Sequence, residues 1–104
     1  MKVKVANMQS SNGKEVPNQF IISISENNNL MVCNPTQYFQ SYKSVIAKID
    51  KFRPNVKTRQ IWLDINKWDY SRTTGKYRNQ FLGETKKETE AKIKSGVYIL
   101  TDLN

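Results

Sequence analysis

The sequence predicts a single α+β domain over residues 1–104: a small antiparallel β-sheet with two short helices packed on one face near the C-terminus. Three observations lead there. Through residue 64 the chain runs in short, β-branched and aromatic segments separated by turn signals. After residue 70 the apolar spacing changes to three and four and helix caps appear. The length supports one modest core and leaves no room for a second.

Val3 and Val5 alternate with Lys2 and Lys4, the pattern of a half-buried first strand. In Ser10-Ser11-Asn12-Gly13-Lys14, the Asn-Gly pair tolerates the positive φ of a hairpin turn. Gln19 to Ser25 is the clearest strand, with Phe20, Ile22 and Ile24 on one face. Asn27-Asn28-Asn29 breaks it, and Leu30 to Cys33 offers a short return strand. After the Asn34-Pro35 turn come Tyr38 to Tyr42 and Ser44 to Asp50. In the latter, Val45, Ile46 and Ile49 also match helical spacing, but short length, β-branching and flanking prolines favour a strand. Thr58 to Asp64 reads as a strand with Ile61 and Leu63 on one face and Trp62 on the other.

Ser71 is the expected N-cap of a helix that reaches Leu82 and stops at Gly83. Tyr70, Thr74, Tyr77 and Phe81 form its packing stripe, and Gly75 weakens it by about 1 kcal/mol relative to alanine. Thr85-Lys86-Lys87-Glu88 is a capping box that opens a second helix, supported by the i,i+4 pairs Glu88/Lys92 and Glu90/Lys94. Gly96 ends this helix, and Val97 to Leu100 makes a final strand.

Composition narrows the function. No apolar run approaches the roughly 18 residues of a membrane span, and the N-terminal residues lack the pattern of a signal peptide. Cys33 is the single cysteine, so no intrachain disulfide forms and a reducing cytoplasm is expected. Net charge is +8. Residues 1–52 carry six lysines against three acids, whereas residues 53–104 carry eleven Lys or Arg against six, including every arginine. That surplus suits a polyanionic partner.

With no histidine and one cysteine, Ser-His-Asp and Cys-His catalysis and the usual zinc sets are excluded. A Ser–Lys pair, Lys43-Ser44 or Ser71 with Lys76, is of a kind found on any surface. Thr73-Thr74-Gly75-Lys76 looks like the end of a phosphate loop, but Tyr70 stands where its first glycine belongs and Tyr77 where Ser or Thr does. Asp64-Ile65-Asn66 with Asp69 fails as an EF-hand, since Asp69 replaces the glycine and Gly75 the final glutamate. Asp69 suits an ion pair near a helix start. The expectation is a non-enzyme without metal or cofactor.

The densest constellation runs from Arg53 to Arg78. Arg53, Lys57, Arg59, Lys67, Arg72, Lys76 and Arg78 interleave with Trp62, Trp68, Tyr70 and Tyr77. Cations for phosphates beside rings for bases suit single-stranded nucleic acid, and Trp, Tyr and Arg equally make protein-binding hot spots. The candidate partner-binding residues are Arg53, Lys57, Arg59, Trp62, Lys67, Trp68, Arg72, Lys76 and Arg78, with Tyr77 and Phe81 assigned to the core and Trp62 the best candidate for exposure. Tyr38 and Tyr42 on one strand face offer a stacking platform, although core packing is the ordinary use of such residues.

Val16 to Phe20, Phe39 to Tyr42, Ile46 to Ile49, Trp68 to Glu84 and Ser95 to Asn104 resemble a group of small, uncharacterised bacteriophage proteins. The resemblance implies a phage origin and action in the bacterial cytoplasm, and brings no activity with it. Beside this group, residues 50–60 look longer than a plain turn. The expected function is therefore a counter-defence inhibitor, anti-CRISPR-like, that binds a host nuclease complex or its guide RNA. The alternative is a sequence-tolerant binder of single-stranded DNA or RNA in phage replication or gene control. A hydrolase or nuclease is disfavoured by the scarcity of acid–base groups.

Overall fold

The computed structural model describes residues 1–25 and 35–104, so the return strand expected at Leu30 to Cys33 lies outside the described residues. The elements are β1 (Lys2–Gln9), β2 (Glu15–Ser25), β3 (Thr36–Ser41), β4 (Ser44–Ile49), β5 (Ile61–Asp64), α1 (Arg72–Leu82), α2 (Lys86–Lys94) and β6 (Tyr98–Thr101). All six strands join one sheet in chain order. The α+β class holds, with one difference in detail. β1 to β5 pair antiparallel, but β6 runs parallel to β5. A parallel neighbour needs a crossover connection, and α1 and α2 supply it.

Alternation along the strands sends consecutive residues to opposite faces. One row, Ile21, Phe39, Ala47, Leu63 and Leu100, crosses the sheet beneath the helices. Phe81 of α1 stacks on Phe39 with ring centres 5.7 Å apart. Met8, Phe39, Ile46, Ala47, Leu63, Tyr77 and Tyr98 form the core, with Ile93 of α2 packed against it. The register slips between Phe39 and Gln40, leaving Ile46 as the extra residue of a bulge. Ile46 is nevertheless fully buried. The bulge places the consecutive residues Ile46 and Ala47 both in the core, which breaks the period-two pattern of β4.

The turns and caps follow local chemistry. Gly13 takes φ 78° in the β1–β2 turn. The Ser71 hydroxyl accepts from the Thr74 amide, and Gly83 closes α1 at φ 70°. Thr85 and Glu88 complete the capping box of α2. A buried 2.8 Å hydrogen bond between the Ser41 and Thr74 hydroxyls ties β3 to α1. β5 is shorter than expected: residues 58–60 belong to the connection that begins after β4. That connection closes where the Asp50 amide donates to the Gln60 carbonyl.

Among the described residues, no helix is long and apolar enough to cross a membrane.

Candidate functional site

The helices cover one side of the sheet. On the other side a second row runs across all six strands: Val5, Ile22, Tyr38, Lys48, Trp62 and Ile99. Val3 and Ile24 extend it on one flank, and Asn7 and Phe20 on the other. Val5 is 60% exposed and Ile99 43%, while Tyr38, Lys48 and Trp62 are half-buried. Lys48, the one charge in the row, lies between the two rings, its Nζ 4.9 Å from the Trp62 centroid and 5.6 Å from that of Tyr38. Such contacts hold a cation at a modest desolvation cost. Asn104 exchanges two side-chain hydrogen bonds with the Val45 backbone of β4. Trp62 therefore points away from Ile61 and Leu63, as alternation requires.

The nine candidate residues from Arg53 to Arg78 do not form one surface. Arg78 is 1% exposed and belongs to the interior. Its guanidinium donates to the Trp68 carbonyl at 2.8 Å, to Asp69 at 3.2 Å and to the Asn79 side chain at 2.9 Å, and lies 5.2 Å from the Trp68 ring. Trp68 is half-buried and packs against the core. Arg78 is thus withdrawn from any partner by its position on the packed side of α1, one turn after Thr74. That spacing was the available signal, and a charged side chain hid it. Burial works to raise the Asp69 carboxyl, but hydrogen bonds from Lys86 and Arg78 outweigh it and hold the pKa below the ordinary value.

Arg59 is half-buried as well, its Nε donating to the Asp50 carbonyl at 2.6 Å and its Nη2 to the Pro35 carbonyl. Burial pulls this guanidinium below its ordinary pKa, against the opposing effect of Asp50. Arg53 pairs with Asp50 at 3.3 Å from an exposed position. Lys57, Arg72 and Lys76 are exposed, and Lys76 lies 5.4 Å from the Tyr77 ring. Lys67 lies 4.8 Å from the ring of Tyr70. Asp64 is buried and accepts backbone hydrogen bonds from Asn66 and Leu103. Among the described residues, no three Asp, Glu, Cys or His side chains are gathered to hold a metal ion.

Residues 3–96 match the family of unknown function DUF8033. The chain belongs to this family. No curated protein and no solved structure matches it. The DUF8033 match takes in every element except β6 and the first residue of β1, and so most of both faces of the sheet.

In this DUF8033 chain, sequence reasoning missed Lys48, which reads there as one lysine of a basic chain. It treated Tyr38 and Tyr42 as one platform, and the structure separates them. Tyr38 joins the helix-free row, whereas Tyr42 lies in the β3–β4 turn at φ 56°. Tyr70, expected on the packing stripe of α1, precedes the helix and is 52% exposed. The turn that ends before Ser71 directs it outward.

Proposed function

We propose that the protein acts by binding rather than catalysis, and that its helix-free sheet face docks a protein partner. The observation that carries this reading is the uncovered row from Val5 to Ile99 with Lys48 held between Tyr38 and Trp62. Six strands at a spacing of about 4.8 Å make a face roughly 24 Å wide, a width that suits a protein interface of ordinary size. Trp and Tyr near the centre of an apolar surface are the usual anchors of such interfaces. Val5, Ile22 and Ile99 offer nothing to a phosphate, so a nucleic-acid backbone suits this face poorly.

The charge of the chain selects the partner's chemistry. With +8 overall and Lys48 at the centre of the row, the complementary surface is apolar with an acidic group near its middle. Small size, the absence of the usual catalytic groups and the phage resemblance favour a counter-defence role, and under that reading the partner is a face of a host nucleic-acid-targeting nuclease complex.

The test is to titrate purified RNA-guided nuclease complexes with the protein, following DNA cleavage and, by biolayer interferometry, binding. Trp62→Ala is expected to weaken binding by roughly tenfold or more, as a central anchor does, with an unchanged circular dichroism spectrum. Equal binding by the variant would remove the face from the interface. Absence of binding and inhibition across the complexes would remove this class of partner.

A further inference from the structure

Three surface clefts lined by cations stand out. One beside the 50–60 connection combines Lys51, Arg53 and Arg59 with Asp50. Another, at the start of α1, combines Arg72, Lys76 and Lys86 with Asp69. In both, the carboxylate is already paired with a cation, Asp50 with Arg53 and Asp69 with Lys86. The third cleft, of about 440 Å³, is lined by Asn18, Tyr42, Lys43, Ser44, Lys67 and Tyr70. It holds two cations and two aromatic rings, and no acid lines it.

Its construction is costly at one residue. Tyr42 occupies the β3–β4 turn at φ 56°, a conformation in which glycine is the default and a bulky side chain an outlier. The backbone around it is held in place. The Tyr42 amide donates to the Asn18 carbonyl at 2.7 Å, and the Gln40 side chain donates to the Tyr42 carbonyl at 2.8 Å. Tyr42 nevertheless stays 45% exposed, so burial does not fully offset the strain. Tyr70, 52% exposed, lines the same cleft beneath Lys67. Exposed rings beside lysines, in a cleft that no acid lines, match the chemistry of an unpaired base and its phosphates.

We propose that this cleft binds single-stranded nucleic acid, stacking an unpaired base on Tyr42 and Tyr70 and pairing the flanking phosphates with Lys43 and Lys67. A base inside a duplex is already stacked on its neighbours and cannot offer its face to these rings, so the site selects single strands. Lys67 exchanges the ring of Tyr70 for a phosphate as the base arrives. This assignment is independent of the sheet face.

The test is fluorescence anisotropy with labelled single-stranded DNA, single-stranded RNA and duplex DNA of one sequence, with inorganic polyphosphate as a base-free competitor. Single strands are expected to bind more tightly than duplex, and polyphosphate to displace them poorly. Tyr70→Ala and Tyr42→Gly each lower single-strand affinity by roughly tenfold, the loss expected when one ring leaves a stack. Tyr42→Gly is the sharper variant, because glycine accommodates the turn and a melting temperature no lower than the parent's isolates the ring. The double variant Lys43→Ala with Lys67→Ala reduces the slope of log affinity against log salt by about 1.4, the value for two phosphate contacts on a single strand. No binding, equal binding of duplex, full displacement by polyphosphate, or tyrosine variants that bind like the parent would each overturn the proposal.

Discussion

The two faces of the sheet are built from alternate residues of the same strands, and both carry an apolar central row. Beneath the helices the row from Ile21 to Leu100 is packed by Tyr77, Phe81 and Ile93. On the other side the row from Val5 to Ile99 is equally rich in aliphatic and aromatic residues, and its edges stay open. Folding needs one buried face, and an antiparallel sheet usually makes the other polar. Here the central row of the second face is apolar apart from Lys48 at its middle, with Asn7, Thr36 and Gln40 beside it. Stability explains the first face. The second is the face proposed above to dock a partner, since exposed apolar patches mark interaction sites.

The most forceful way to break this comparison uses two neighbours in β3. Phe39 is fully buried and stacks on Phe81, while Tyr38 points to the helix-free face. Phe39→Ala is expected to cost about 3–5 kcal/mol, a large part of the stability of a small domain. Tyr38→Ala should cost under about 1 kcal/mol. Urea unfolding midpoints of the two variants check both values. If Tyr38→Ala were as damaging as Phe39→Ala, the two faces would be equally packed and the docking face would not exist.

A second prediction sharpens the covered side. Glu84, between α1 and α2, has a side chain only 5% exposed. It accepts hydrogen bonds from Lys92 at 2.6 Å, Thr89 at 2.6 Å and Tyr98 at 2.7 Å. Burial works to raise its pKa, but the hydrogen bonds from Lys92, Thr89 and Tyr98 together outweigh this and lower it. Burial, with the hydrogen bond to Glu84, pushes the Tyr98 hydroxyl up to about 12. A depressed carboxyl contributes stability that is fully present above the unfolded value of about 4.3 and is lost as pH falls through the lower folded value. Glu84→Gln should cost about 1–2 kcal/mol at neutral pH, with the half-exposed Lys92 limiting the effect. It should also flatten the loss of stability below about pH 4.3. Thermal melts from pH 3 to 7 check this, and a profile identical to the parent's would show that Glu84 titrates as a free carboxylate.

How far this architecture was legible in the sequence depended on the range of the interaction. Ser71, Gly83 and the Thr85–Glu88 box announced both helices because a cap is satisfied within four residues. Trp62 could be placed opposite Ile61 and Leu63 because strand alternation is local too. The parallel pairing of β5 with β6 was hidden, since direction is decided by a crossover of more than thirty residues. The bulge at Ile46 was hidden by the same period-two reading that found the other strands. For Arg78, the charge suggested surface, whereas carbonyl and carboxylate partners brought the guanidinium inside. The candidate site was therefore legible residue by residue in Trp62 and illegible as an assembly. Lys48 and Tyr38 become its neighbours only through strand register.

The smallest expected effect concerns Gly75, on the buried side of α1. Glycine within a helix costs about 0.5–1 kcal/mol relative to alanine because more backbone freedom is lost on folding. Such a residue persists where a side chain would collide with something, and here the nearest atoms belong to Arg78. A Cβ on Gly75 would lie 3.6 Å from Nη2 and 3.7 Å from Nη1 of that guanidinium, ordinary van der Waals contact. Gly75→Ala is therefore expected to raise stability by about 0.5–1 kcal/mol, read as a higher denaturation midpoint at an unchanged denaturant slope. A fall instead would mean that the guanidinium needs the open flank of Gly75 to keep its hydrogen bonds to Trp68 and Asp69. The covered face would then be fitted around a buried charge as tightly as around Phe39, and its contrast with the open face would be sharper than packing of apolar side chains alone implies.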